Sequence, residues 1–286
     1  MAITSAQVGE LRERSGAGIM DCKNALMQTN GDIESALEFL RKSGMAKANK
    51  KAGRVASEGT IKIKSDKEGH AAVIVEFNCE TDFVAKDTHF TQFAEQTTAL
   101  ALQAKTTTVE ALLATQSVEE QRKELVAKLG ENIQIRRLQL MTTQNKLYSY
   151  SHGTRIGVIL ELVGGNEELG KDIAMHIAAS NPQAIDPSGV APEIIAKERE
   201  IYAAQAQGSG KPPEIIQKMV EGRLQKYLKE VTLLSQPFVK NPDQTVAQLL
   251  QALDAKVVKF VRYEVGEGIE KKAVNFAEEV MAQVRG

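Results

Sequence analysis

The chain has 286 residues, enough for one to three domains, and its hydrophobic fraction of 42% supports ordinary packed cores. Its 36 Lys and Arg against 37 Asp and Glu leave a net charge of −1, which excludes a molecule-wide electrostatic attraction to nucleic acid. No apolar run reaches the roughly 20 residues of a membrane helix, no basic-then-apolar leader precedes Thr4, and Cys22 and Cys79 stand far apart. These features point to a cytoplasmic protein with reduced thiols and no membrane partner.

The first stretch reads as three short helices. Ser5 is placed to cap a helix carrying Val8 and Leu11 that stops at Ser15-Gly16. Gly16-Ala17-Gly18 opens a second helix with Ile19, Met20, Ala25 and Leu26, closed at Asn30-Gly31, where a left-handed cap is easy. Asp32 caps a third with Ile33, Ala36, Leu37 and Leu40, ended by Ser43-Gly44. Arg41, Lys42, Lys47, Lys50, Lys51 and Arg54 then follow with no acid among them. They read as a solvated helical linker, with a salt-dependent RNA contact as the competing reading.

An internal repeat organises the rest. Thr60-Ile61-Lys62-Ile63-Lys64 alternates as a half-buried strand does, Asp66 to Gly69 is a turn, and Ala72 to Phe77 is a second strand. Asp87 caps a helix with Phe90, Phe93, Ala94, Thr97 and Leu100. Thr108 to Leu113 starts another, Ser117 with Glu120 predicts a capping box for a helix ending at Gly130, and Ile133 to Leu138 returns as a strand. The second half replays this: Leu147 to Tyr150, a Gly153-Thr154 turn, Gly157 to Leu162, a helix with Ile173, Ile177 and Ala178, then Thr245 to Leu250 and Val257 to Tyr263.

Inside the second repeat an antiparallel helical hairpin is inserted. One helix starts at Pro192 with Ile194, Glu198, Ile201 and Gln205 on one stripe, and the other carries Ile216, Met219, Leu224, Leu228 and Val231. A last helix is expected over Val274 to Val284. The fold class is therefore α+β, with two similar subdomains bearing antiparallel sheets. The divisions are 1–54 for the three helices and basic linker, 55–142 for the first core subdomain, and 143–189 with 236–265 for the second. The hairpin takes 190–235 and a C-terminal module 266–286.

Motifs for bond chemistry are missing from the pattern. Gly165 to Lys171 follows a strand and opens a helix as a phosphate loop does, but Asp172 stands where a Ser or Thr would hold magnesium, and Glu167 and Glu168 would repel phosphate. The histidines His70, His89, His152 and His176 are not paired at metal spacing, and no nucleophile elbow or Cys-His arrangement appears. No catalytic residue, metal, cofactor or direct nucleotide binding is expected, and the chain reads as a binding protein rather than an enzyme.

The segment Thr81-Asp82-Phe83-Val84 leaves a buried strand and enters a helix cap. Phe83 either folds back as a staple against the Phe90 helix or serves a partner. The matching stretch of the second repeat, Val163 to Glu167, has no aromatic, so the scaffold does not require one.

Five ordered blocks give the chain a family likeness. They are Leu11 to Lys23, Asn78 to Lys86, His152 to Val158, Met175 to Ala179, and Gln236 to Val239. Together they resemble elongation factor Ts, the nucleotide-exchange factor of bacterial elongation factor Tu, over essentially the whole length. The resemblance implies a ubiquitin-associated-like three-helix N-terminal domain and elongation factor Tu as partner. It also implies that Asp82-Phe83, within Thr81 to Val84, wedges between helices of that partner's GTPase domain and loosens magnesium and GDP. By the same matching, Arg12, Ile19 and Met20 would touch another helix of that domain, and His152 another part of the partner. The number of copies in such a complex stays open.

Overall fold

The computed structural model describes residues 3–115, 117–208 and 211–270, the side chains of 45–50 excepted. The helix expected over Val274 to Val284 lies outside them. Contacts divide the chain into two units, Met1–Lys62 with Val75–Leu138 and Glu264–Gly286, and Ile63–Ile74 with Gln139–Tyr263.

Eleven α-helices and eight strands occur among the described residues. The N-terminal helices are α1 (Ser5–Ser15), α2 (Ile19–Gln28) and α3 (Ile33–Lys51). Then come β1 (Glu58–Ser65), β2 (Ala71–Cys79), α4 (Asp82–Ala85), α5 (Thr88–Gln103), α6 (Val109–Ala114), α7 (Val118–Leu129) and β3 (Gln134–Thr142). The second half holds β4 (Lys146–His152), β5 (Ile156–Val163), α8 (Glu167–Ser180), α9 (Pro192–Gln207) and α10 (Pro213–Val231). It ends with β6 (Pro237–Phe238), β7 (Asn241–Thr245), α11 (Val246–Ala252) and β8 (Lys256–Glu264). The strand orders β1-β2-β3 and β4-β5-β8 reproduce the repeat: two neighbouring strands, then helices, then a third strand. β6 and β7 make a separate small ribbon.

The three N-terminal helices bury Leu11, Cys22, Ala25, Leu26 and Ala36 against one another. Thr4 rather than Ser5 is the N-cap of α1, because its hydroxyl accepts from Gln7 N–H while the Gln7 side chain returns to Thr4 N–H, a complete capping box. α3 does not stop at Ser43-Gly44 but continues to Lys51. Gly44 is buried there, and a Cβ on it would lie 3.0 Å from the Ala127 Cβ of α7, so this glycine permits close helix packing instead of ending a helix. The basic stretch is helical as far as Lys51, and among its described side chains several cations are paired as well as solvated. Arg41 reaches Glu120 at 3.2 Å and Glu124 at 3.7 Å, Lys51 donates to the Gly130 carbonyl, and Arg54 meets Glu80 at 3.5 Å.

The first core packs Phe77 of β2 edge-on to Phe93 of α5, with ring centroids 5.9 Å apart. Three local expectations change here and in the hairpin. β1 does not alternate cleanly, since Gly59, Thr60 and Ile61 are buried in succession. Ser117 has φ 83 and makes no side-chain cap hydrogen bond, because the left-handed backbone turns its hydroxyl away from the helix amides; Glu120 pairs with Arg41 instead of completing a box. The apolar stripe of α9 is Ile195, Tyr202 and Ala206, and Ile194 and Ile201 lie exposed. Leu224 and Leu228 of α10 meet that stripe as expected, joined by Val220, and Arg199–Glu221 and Arg223–Gln205 link the two helices across their polar side.

The second core closes over Val158, Leu160 and Leu162 of β5, Ile173 and Ile177 of α8, and Val246, Leu250 and Val257. β4 runs antiparallel to β5, with Tyr148 opposite Leu160. A Cβ on Gly170 would sit 2.3 Å from the Tyr148 ring, which explains the last glycine of the Gly165 to Lys171 stretch as packing.

Buried charge holds the end of the described chain to the first unit. Glu76 of β2 has no exposed surface. Its carboxylate accepts from Arg136 at 3.1 Å, Arg137 at 2.5 Å, Asn78 Nδ2 at 3.1 Å and Gly266 N–H at 2.8 Å. Arg136 also donates to the Glu267 carbonyl and Arg137 to that of Glu264. Sequence pattern gave no sign of this network, because Glu76 sits in an apolar strand and its arginine and Gly266 partners are 60 and more residues away.

Candidate partner-binding site

β2 ends at the buried Cys79, whose thiol is pushed up to about 12, first by burial and then by the negative charges of Glu131 and Glu58. The protonated thiol donates to the Thr81 carbonyl at 3.1 Å. Thr81 is extended (φ −124) and caps α4, accepting from Val84 N–H at 3.4 Å. Glu131, in the loop after α7, receives both neighbouring amides: Glu80 N–H and Thr81 N–H reach its Oε2 at 3.1 and 3.0 Å, and the Thr81 hydroxyl its Oε1 at 2.6 Å. Glu80 returns the grip by accepting from Asn132 N–H at 2.7 Å.

The turn built this way points its two apolar residues in opposite senses. Val84 is 8% exposed, whereas Phe83 is 81% exposed. Phe83 is therefore not a staple against α5; Val84 is the residue that anchors the turn. Asp82 is exposed, and its hydrogen bond and ion pair with Lys86 at 2.7 Å hold its carboxyl below the usual range. Lys86 is followed by Asp87, which caps α5 by accepting from His89 and Phe90 N–H as the sequence indicates.

The other candidate contacts are exposed as well. Arg12 lies on the outer face of α1, and Ile19 and Met20 on the first turn of α2 are 55% and 64% exposed. His152 ends β4 in the second unit, exposed, with its Nδ1 3.3 Å from the Tyr150 hydroxyl and the two rings stacked at 6.4 Å. Sequence reasoning missed Glu131 and Asn132, and gave Glu80, inside the Asn78 to Lys86 block, no role of its own. Glu131 is 50 residues from Thr81, a separation that local patterns do not span.

The decoys resolve into structure. Asn166 caps α8 by accepting from Leu169 N–H, and Glu167 pairs with Lys171 at 2.6 Å, so that helix start offers carboxylates rather than open amides. His176 is fully buried: Nδ1 accepts from Val239 N–H at 3.2 Å, so Nε2–H donates to Gln236 Oε1 at 2.9 Å. Its burial holds the ring's pKa below the ordinary histidine value. Among the described residues no group of three or more His, Cys, Asp or Glu could hold a metal ion, and no helix is long and apolar enough to cross a membrane.

A family model described as "Elongation factor TS" matches residues 80–267. The chain is 59% identical to the elongation factor Ts of Methylococcus capsulatus over 100% of its own length and 99% of that protein. It is 56% identical to that of Thioalkalivibrio sulfidiphilus over 100% of both, and 54% identical to that of Legionella pneumophila over 99% of both. With the match running end to end, and with the exposed Phe83 turn inside the span of the family model, the chain belongs to the elongation factor Ts family.

Proposed function

We propose that this chain is a cytoplasmic guanine-nucleotide exchange factor, not an enzyme. It binds elongation factor Tu carrying GDP, inserts Phe83 beside the partner's magnesium site, and promotes GDP release so that GTP can enter during translation elongation. Thr81, Asp82, Phe83 and Val84 form the wedge, and Arg12, Ile19, Met20 and His152 are further contacts. The observation that carries this reading is the 81% exposure of a phenylalanine on a turn that is itself firmly tied down.

Exchange needs no bond chemistry on the factor. It needs negative coupling, in which factor and nucleotide weaken each other's binding equally. Burying one phenylalanine contributes roughly 1.5–3 kcal/mol. That is about a tenfold to hundredfold shift in nucleotide affinity. A larger shift needs disturbance of the magnesium that neutralises phosphate charge in P-loop GTPases, with the distributed interface holding the wedge in place while it acts. The divisions 1–54, 55–142, 143–189 with 236–265, 190–235 and 266–286 are the modules that spread this interface.

Stopped-flow release of labelled GDP from elongation factor Tu tests the reading. Phe83→Ala at saturating concentration is expected to slow the maximal rate by about tenfold or more. A wild-type maximal rate in that variant sinks the wedge.

A further inference from the structure

We propose that Glu131 is a positioning residue for exchange, the group that fixes the direction in which Phe83 is presented. The proposal rests on the wedge reading and adds a residue to it. Phe83 sits on a helix of four residues, Asp82–Ala85. A helix of that length has no independent stability in water, since its nucleation cost is not recovered. Phe83 itself is in solvent and makes no core that could orient it. Its direction is therefore set by the backbone that enters α4; Val84 anchors that turn from inside, and the Glu131 carboxylate takes both of its entering amides.

The hold is specific in geometry. Both Glu131 oxygens are used, Oε2 by the two consecutive amides of Glu80 and Thr81 and Oε1 by the Thr81 hydroxyl. The Thr81 hydroxyl in turn accepts from Val84 N–H, so a continuous hydrogen-bond chain runs from Glu131 into α4. The neighbouring Glu80–Asn132 bond doubles the clasp, and Asn132, 1% exposed, donates from Nδ2 to the Arg54 carbonyl at 2.7 Å. Two adjacent residues at the end of β2 thus grip two adjacent residues before β3. Hydrogen bonds to an ionised acceptor are stronger than neutral ones, and a preorganised turn loses less freedom when a partner closes on it.

The test compares Glu131→Ala and the isosteric Glu131→Gln with wild type in labelled-GDP release from elongation factor Tu. It also measures amide hydrogen exchange at Glu80 and Thr81 in the free full chain. In Glu131→Gln the remaining oxygen can keep the two backbone amides while the NH2 faces the Thr81 hydroxyl, which must then accept instead of donate, and the acceptor's charge is lost. The maximal release rate is expected to fall about tenfold in Glu131→Ala, and by an intermediate factor in Glu131→Gln, while the half-maximal concentration moves less than about threefold. Amide protection at Glu80 and Thr81 is expected to fall in both variants, with that of the β2 interior unchanged. In a Phe83→Ala background the Glu131→Ala change is expected to cost nothing more, because there is no wedge left to aim. Wild-type maximal rates in both Glu131 variants, or losses that multiply with that of Phe83→Ala, overturn the positioning role. If Phe83→Ala alone leaves the rate unchanged, the wedge reading fails and the positioning role fails with it.

Discussion

Val84 and Phe83 are consecutive residues of one short helix, and the chain buries the first to 8% exposure while leaving the second 81% exposed. The two substitutions to alanine should therefore separate cleanly. Val84→Ala is expected to lower unfolding free energy by about 2 kcal/mol, from lost burial and the cavity left behind. Phe83→Ala is expected to stay within about 0.5 kcal/mol of wild type, as surface substitutions do. Urea denaturation of both variants checks this. A large loss in Phe83→Ala would mean that the ring is packed and not presented.

The Glu76 network should be among the costlier polar features to break. Glu76→Gln keeps the volume but removes the charge that two arginines and a backbone amide face. Removing one partner of a buried pair typically costs about 3–5 kcal/mol; Arg136 and Arg137 retain some solvent, so about 2–3 kcal/mol is expected. Denaturant unfolding reads the loss. Hydrogen exchange should also show the Gly266 amide opening in the variant, since that amide donates to Glu76.

These two cases show where sequence stops being informative. Caps and strand ends were legible because they are local: Asp87 over His89 and Phe90, the start of α6 at Thr108, Gly130 closing α7 and Gly69 closing the first hairpin all follow from neighbouring residues. The repeat was legible because two similar sheets need similar periodicity. Gly44 was misread as a stop because its reason, the Ala127 Cβ at 3.0 Å, lies on another helix. Ile194 and Ile201 were misplaced by one position on α9, because a weak stripe with Ile at both 194 and 195 fits two registers. The exposed turn residues could be named from the chain, while Glu131, which holds them, could not, since its partners are 50 and 51 residues away.

Gly59 offers a strict test of β1. Its φ is +148, a region that side-chain-bearing residues rarely adopt, and an added Cβ would lie 1.9 Å from the Phe77 carbonyl oxygen. The obstacle is backbone and cannot rotate away. Gly59→Ala is expected to destabilise by about 3–5 kcal/mol, combining backbone strain with overpacking. A thermal melt within a degree or two of wild type would contradict the geometry.

His176 should give the fold a pH dependence of known sign. Burial lowers its pKa in the folded chain below the unfolded value of about 6.5, so the unfolded state binds more protons between those two values. Stability then rises with pH through that window, is complete above about 6.5, and is lost as pH falls toward the folded value. Comparing wild type with His176→Gln by urea unfolding between pH 5.0 and 7.5, roughly the span of an unperturbed histidine titration, should show a flatter profile in the variant. Equal slopes would assign the dependence to other groups.

The N-terminal contacts should act on binding where Phe83 acts on release. Arg12 and Met20 are exposed on α1 and α2, apart from the buried cluster around Leu11 and Leu26. Their loss should leave the three-helix core intact. If they hold the factor on elongation factor Tu equally before and during nucleotide loss, their contribution is uniform binding, which sets the concentration needed and not the maximal rate. Arg12→Ala and Met20→Ala are each expected to raise the half-maximal factor concentration by about threefold to thirtyfold, corresponding to about 0.7–2 kcal/mol of contact, with maximal GDP release kept within about twofold. A concentration series in stopped flow separates the two parameters. If the maximal rate falls while the half-maximal concentration holds, the N-terminal helices act in the displacement step itself, and the division of labour between them and Phe83 is wrong.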